Sequence, residues 1–277
     1  MISASIVLFK NRVDELEKVL NSVLKTTLIS RLYLVDNSPT DILKILQSND
    51  SRIVYIFNDN NIGFGAAHNI ALCLSSAARS KYHFVINPDI YFEDDVIEKM
   101  VEFMQVNCIV GMIMPKVLYP DGTIQYLPKL LPNPFNIFLR KIKFPKSVYK
   151  KFINKYELRS IPSDVIYNAP ILSGCFTLIR IEAFDRIGGY DDSFFMYFED
   201  WDLSRRMHQV YQTIYFPEVS IYHRYESGAN RSWKLFIIFL RSFITYFSKW
   251  GWFLDSSRTY LNNKTLQQFE GYPESNK

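Results

Sequence analysis

The first half of the chain predicts a doubly wound α/β fold with a mostly parallel sheet and helices on both faces. Strand and helix patterns alternate from Ser3 to Met114, the signature of strand–helix–strand units. The strand segments are near-continuous apolar runs rather than alternating ones, as expected for strands buried on both faces. The 277 residues, 48% of them hydrophobic, suffice for one sizeable core.

The elements follow in order. Ser3 to Phe9 is a β-rich apolar run, and Val13 to Leu24 has apolar residues at helical spacing (Val13, Leu16, Val19, Leu20, Val23, Leu24). Leu32 to Val35 predicts a strand, Ile42 to Leu46 a short helix, and Ile53 to Phe57 a strand. Ala66 to Ala77 predicts a helix, His83 to Ile86 a strand, Asp94 to Val106 a helix, and Ile109 to Met114 a strand. Tyr119-Pro120-Asp121-Gly122 is a turn sequence, suggesting a hairpin. Further on, Ile171 to Ile179 predicts a strand, Asp200 to Val210 a helix, and Thr213 to Tyr222 extended segments broken at Pro217. Trp233 to Leu254 is a long aromatic and aliphatic run, and the polar tail after Asn262 is expected to fray.

Charge is distributed unevenly. The net charge is only +4, yet from Gly122 to Tyr156 there is no acidic residue, while Lys129, Arg140, Lys141, Lys143, Lys146, Lys150, Lys151 and Lys155 fall in that stretch. Such a block suggests an anionic surface as partner; no nucleic acid is expected. Cys73, Cys108 and Cys175 are widely spaced and odd in number, which argues against a zinc ribbon or a disulfide framework and for reduced thiols in a cytoplasmic protein. No basic region followed by an apolar one opens the chain, so no signal peptide is expected.

In doubly wound sheets ligands sit beyond the carboxyl ends of the strands. Asp36 ends the second strand, where it can accept from a ribose or a base imide; capping of a loop is the alternative. The segment Asn61-Ile62-Gly63-Phe64-Gly65 enters a helix, and its glycines would let the backbone approach a diphosphate at the helix N-terminus. The third glycine of a dinucleotide fingerprint is missing, since His68 stands there. Asn87-Pro88-Asp89 ends the fourth strand and puts a carboxylate where Mg²⁺ or Mn²⁺ could bind, unless it caps the next helix. Glu199-Asp200-Trp201-Asp202 crowds three acids after an apolar run, which raises carboxyl pKa values toward the range of a general base; helix N-terminal acids are the bland alternative. His223, after a strand pattern, can complete a metal site or be merely structural.

Taken together, Ser5-Ile6-Val7, Val35-Asp36-Asn37-Ser38, Asn61 to Gly65 with Asn69, Asn87-Pro88-Asp89, Ser173-Gly174-Cys175-Phe176, Phe184 to Asp191, and Tyr197 to Leu203 resemble the family 2 inverting glycosyltransferases, especially bacterial rhamnosyltransferase-like members, over residues 3 to 228. The resemblance implies a GT-A fold and a single displacement on a nucleoside diphosphate sugar. It implies donor contacts from Asp36, Asn37, Gly63, Gly65, Asn69, Asn87 and Asp89, and a Mg²⁺ or Mn²⁺ ion on Asp89 and His223. Asp200 would be the base, with Glu199 beside it, and Glu199, Trp201 and Asp202 would meet the acceptor. Asn87 departs from the Asp-x-Asp of many relatives; the Asn-Pro-Asp form looks like that of deoxysugar transferases, making dTDP-L-rhamnose the expected donor and a lipid-linked saccharide of cell-surface polysaccharide (O-antigen or capsule) synthesis the expected acceptor. The implied catalytic domain is 1–228, in a nucleotide-sugar half (1–115) and an acceptor half (116–228), with 229–277 a membrane-associating helix and tail.

Other classes fit less well. A sugar-nucleotide pyrophosphorylase needs a glycine-rich loop after the first strand, where Phe9-Lys10-Asn11-Arg12 stands; an aspartyl-phosphate hydrolase needs an Asp pair there. Transfer from a UDP-sugar and a non-catalytic, membrane-associated sugar-nucleotide-binding protein are the remaining alternatives. From Trp233 to Phe253 the aromatic run is interrupted by Lys234, Arg241 and Lys249, which fall near one helical face. That pattern suits a helix lying in the interface plane, at the inner face of the cytoplasmic membrane, better than one spanning it.

Overall fold

The computed structural model describes residues 1–93, 95–224 and 232–270. Asp94, where the fourth expected helix begins, and the expected domain boundary at 228 lie outside the described residues. In chain order the elements are β1 (Ile2–Leu8), α1 (Val13–Leu24), β2 (Ile29–Asp36), a 3-10 turn (Ile42–Ser48), β3 (Ile53–Phe57), α2 (Phe64–Ala77), β4 (Tyr82–Ile86), β5 (Ile90–Tyr91), α3 (Val96–Val106) and β6 (Val110–Leu118). There follow α4 (Pro134–Ile142), α5 (Lys146–Tyr156), β7 (Tyr167–Asn168), β8 (Phe176–Arg180), α6 (Ile181–Ile187), α7 (Glu199–Val210), β9 (Gln212–His223), α8 (Trp233–Trp250) and α9 (Ser256–Gln267).

The strands form one sheet in the order β3-β2-β1-β4-β8-β6-β9-β5, with β7 also on β9. The strands β3, β2, β1 and β4 are parallel, and β6 and β9 run the same way; β8, β5 and β7 are reversed. The expected mostly parallel α/β sheet is therefore observed, with one reversed strand, β8, inserted at its centre.

Periodicity explains the helices that cover the sheet. Leu16, Val19, Leu20 and Val23 of α1 are all buried, and each contributes about 2 kcal/mol from area removed from water. Polar residues within the apolar strands are satisfied internally. Ser5 Oγ bridges His68 Nδ1 and His83 Nε2, each at 2.7 Å, and Ser3 and Ser75 hydroxyls reach His83 Nδ1 at 2.9 and 2.8 Å. Burial pushes both imidazoles down, His83 to about 3, so both are neutral at neutral pH.

Three expectations need correction, and the basic stretch, for which the sequence suggested no element, is helical. Thr213 to Tyr222 is one strand, β9, and Pro217 sits in a bulge where its register against β6 jumps from Phe216 to Ser220. The turn at Tyr119 to Gly122 closes through the Gly122 N–H to the Tyr119 carbonyl, but a single bridge, Leu118 to Ile124, follows it rather than two strands. The basic stretch holds two helices; Asn133 caps α4 by accepting from the Asn136 N–H, and Pro134 starts it. The polar run after Asn262 stays helical to Gln267, because Asn262 is tied to both backbone groups of Leu131 and Leu261 packs on Leu131 and Ile171.

The last two helices pack against the sheet domain. Tyr246 and Phe247 of α8 are buried against Phe194, Phe198 and Ile137. Arg205 of α7 donates to both carboxylate oxygens of Asp255 at 2.8 Å, both side chains being buried, while the guanidinium lies 4.1 Å over the Trp250 ring.

Candidate active site

The C-terminal edge of the parallel strands collects the residues that the sequence singled out. Asn87 to Asp89 leave β4; β5 then pairs antiparallel with the end of β9, Ile90 opposite His223. This pairing, invisible in the sequence, brings residues 134 positions apart together. His223 Nε2 stands 3.3 Å from Asp89 Oδ1. On the other side of the ring Nδ1 faces Gln125 Oε1 at 3.1 Å, and Gln125 Nε2 donates to the His223 carbonyl at 2.8 Å. That second bond orients the amide so that its oxygen faces Nδ1, which fixes the ring with Nε2 toward Asp89. A carboxylate oxygen and a ring nitrogen so placed could both serve as ligands of one divalent cation. Asp89 Oδ1 and Asn87 Oδ1 are also buried without a hydrogen-bond partner. This donor set fits a hard divalent ion only if the ion takes its other ligands from phosphates and water; among the described residues no group of three or more His, Cys, Asp or Glu side chains could hold a metal ion.

The acidic cluster opens α7. Tyr197 and Phe198, at φ 71° and 69°, both hold the left-handed conformation, which is uncommon for bulky residues and clusters at functional sites. Phe198 is held there by packing on Trp201, Phe239, Phe243 and Tyr246. Glu199 is buried with Oε2 unpartnered; burial and the neighbouring Asp200 charge push its carboxyl up, to about 8. Asp200 accepts from the Gly174 N–H at 3.2 Å and from the Trp201 N–H at 2.9 Å. Burial raises its pKa, against the Gly174 N–H and the charge of Lys129. The next residue, Cys175, accepts at its carbonyl from the Asn87 N–H at 2.8 Å. The Ser173-Gly174-Cys175 segment thus joins the base candidate to the metal candidate through two hydrogen bonds.

Other residues make contacts within the chain. Asp202 is fully buried, bound by Arg206 Nε, Lys249 Nζ and Trp250 Nε1, each at 2.8 Å; this is a correction to its expected place against an acceptor. Trp201 packs on Phe198 and Tyr246. Asp36 is fully buried, its oxygens accepting from the Ser38 N–H and the Tyr55 hydroxyl. Asn37 ties the Gly63 carbonyl to the Asn58 side chain. The close approach that Gly63 permits, at φ 96°, is to the Phe195 carbonyl, with which any Cβ would collide. Gly65 lies against Tyr190, and Asn69 makes two backbone bonds to Tyr190. In this structure the glycine-rich segment therefore clamps the 189–196 loop that leads into Glu199.

Nothing in the sequence singled out Gln125, and Lys129, expected in a basic block facing an anionic surface, is instead buried. Nothing in their local pattern separates them from a polar connection, and only the return of β9 gives Gln125 its partner.

Comparison with known proteins places this geometry. The model described as "Glycosyl transferase family 2" matches residues 5–188. The chain is 24% identical over 262 residues to the rhamnosyltransferase WbbL of Escherichia coli (strain K12), covering 91% of this chain and 90% of that protein. It is 25% identical over 183 residues to an N-acetylglucosaminyl-diphospho-decaprenol L-rhamnosyltransferase of Mycobacterium tuberculosis, covering 62% of this chain and 58% of that protein. Among solved structures, that of GalNAc-T7 with UDP, GalNAc and Mn²⁺ superposes with a TM-score of 0.66 at 14% identity, over 99% of this chain and 52% of that one. The shared architecture is the GT-A fold.

Proposed function

The chain belongs to glycosyl transferase family 2, a family of glycosyltransferases, and on that premise we propose that it transfers one sugar from a nucleoside diphosphate to an acceptor hydroxyl by a single inverting displacement. The observation that carries this is the joint placement of the Asp89–His223 pair and the Glu199–Asp200 pair at one sheet edge, linked through Gly174 and Cys175. Asp200 takes the proton of the acceptor hydroxyl as its oxygen bonds to the anomeric carbon and the carbon–diphosphate bond breaks. Asp89 and His223, with Asn87 beside them, would hold Mg²⁺ or Mn²⁺, which supplies charge stabilisation for the departing diphosphate. Glu199, largely protonated at neutral pH, is a hydrogen-bond donor to the acceptor. Asp36, through Tyr55 and the Asn37–Gly63 contact, shapes the loops around the nucleoside.

The donor proposed is dTDP-L-rhamnose and the acceptor a lipid-linked saccharide, on the strength of the two rhamnosyltransferases above. Incubation with dTDP-rhamnose, UDP-hexoses and GDP-mannose, with assay of the released nucleotide, tests this; release only from UDP-hexoses would refute the rhamnose reading.

The acceptor would be met at an anionic membrane face. No helix among the described residues is long and apolar enough to cross a membrane. Instead, Phe135 and Phe138 of α4, Phe144, Trp233 of α8, and Phe253 and Leu254 after it are exposed, with lysines 143 and 146 flanking Phe144 and Lys234 following Trp233 in the chain. The helices α4 and α8 touch, with Lys141 Nζ over the Phe236 and Phe239 rings. An apolar and basic face of this kind suits an anionic bilayer surface.

A further inference from the structure

We propose that Lys129 is a positioning residue whose buried positive charge holds Asp200 in its ionised, proton-accepting form. The inference rests on the assignment of Asp200 as the base.

Lys129 lies in the connection between β6 and α4, where its N–H donates to the Ile171 carbonyl at 3.1 Å in an isolated antiparallel bridge. Three residues beyond Ile171, the Gly174 N–H binds Asp200. Lys129 is buried, the residue being 5% exposed. Its Nζ donates to the Leu127 carbonyl at 3.1 Å, and among the described residues no carboxylate stands within ion-pairing distance of it. A buried ammonium with one carbonyl acceptor has two N–H groups unmet and lacks a contact ion pair, an arrangement costly for stability. In an interior of low effective dielectric its charge still acts over several ångströms.

The groups around Asp200 leave Lys129 as the cation that acts on it. On α7 itself stands Glu199, which burial and the Asp200 charge keep protonated, so that it brings no charge to Asp200 at neutral pH. Cys175 before β8, Tyr156 of α5 and Tyr190 of the clamped loop feel its charge but are kept neutral by burial, Cys175 pushed up to about 12. Asp89 acts on Cys175. Arg140 of α4 and Glu157 after α5 are 3.4 Å apart in an ion pair and act on Lys129 in opposite senses. Tyr246 of α8 acts on Tyr156. Burial pushes Lys129 down to about 8, with Arg140 in the same direction, while the Asp200 charge holds it up; the same interaction lowers Asp200.

The experiment is a pH profile of kcat/KM. In Lys129→Met the acidic limb should move up by about one unit, the low end of what a nearby opposite charge does to a carboxyl, while donor affinity stays near that of wild type. Lys129→Arg, which keeps the charge, should leave the limb in place. A folded Lys129→Met with the wild-type limb, or with activity lowered equally at every pH, overturns the proposal. Should Lys129→Met fail to fold, the coupling is read from the other side by ¹⁵N NMR titration of the Lys129 ammonium. It should deprotonate about one unit lower in Asp200→Asn than in wild type, because pairwise electrostatic coupling is reciprocal; an unchanged titration overturns the proposal. Retention of turnover by Asp200→Asn would instead remove the base assignment, which this titration does not depend on.

Discussion

The Asp89 carboxylate and the His223 imidazole face each other at 3.3 Å, with Gln125 holding the far nitrogen of the ring. Asp89→Ala and His223→Ala should each weaken nucleotide-sugar binding in Mg²⁺ or Mn²⁺ but leave binding of the bare nucleoside nearly unchanged. Gln125→Leu should lower apparent metal affinity by about tenfold, the lower range for partners that orient a ligand. Titration calorimetry with and without metal checks all three; full activity in excess chelator would remove the metal from the mechanism.

Asp200→Asn should preserve the fold and donor binding but cut turnover by about a hundredfold or more. The reverse pattern, with Glu199→Gln inactive and Asp200→Asn active, would exchange the two roles. Single-turnover kinetics at saturating donor distinguishes them.

Glu199 carries a stability signature. Its folded pKa is raised above that of the unfolded chain, to about 8 from 4.5. The folded state therefore keeps a proton that the unfolded chain releases, and this contribution is full below about pH 4.5 and lost as pH rises toward 8. The stability of Glu199→Gln relative to wild type should accordingly increase from pH 5 to pH 8 in urea melts. A pH-independent difference would mean that Glu199 is ionised in the folded protein.

His83 titrates in the opposite sense. Burial depresses its folded pKa to about 3, so below pH 6.5 the unfolded state takes up a proton that the folded state refuses. The penalty of His83→Asn, measured against wild type, should shrink by about 1.4 kcal/mol per pH unit as pH falls below 6.5. A penalty constant down to pH 4 would contradict a neutral buried imidazole.

The Arg205–Asp255 pair anchors the C-terminal helices, with both side chains at most 4% exposed. Asp255→Ala leaves an uncompensated buried guanidinium and should cost about 3–5 kcal/mol. The partly exposed Lys249–Asp191 pair should contribute less, so Asp191→Asn is expected to cost under about 1 kcal/mol. Equal losses would show that α8 and α9 are held by other contacts.

Anionic liposomes should float the protein at low salt and release it as salt rises, since surface attraction is screened over about 10 Å at 0.1 M. Combined Phe135→Ser, Phe138→Ser and Phe144→Ser substitutions should abolish flotation without lowering Tm. Retention of binding by that variant would move the contact elsewhere.

The alternation of elements, the ends of α1 and β3, and the candidacy of Asp89, Asp200 and His223 were legible in the sequence, because helix and strand periods and strand-end positions are local properties. Tertiary structure decided the rest. The insertion of β8 and the return of β9 beside β5 are pairings between distant segments, set by how apolar faces are buried together, and no local pattern encodes them. They give His223 its carboxylate and its glutamine. They also turn Asp202 and Lys249 toward each other, where the resemblance implied an acceptor contact and the helical pattern a headgroup contact, because the buried Asp202 carboxylate is stabilised by the Arg206 and Lys249 cations and the Trp250 indole N–H brought to it. The glycines after β3 were recognised as sites of close approach; that the approach is to the Phe195 backbone could be known only once the 189–196 loop was placed.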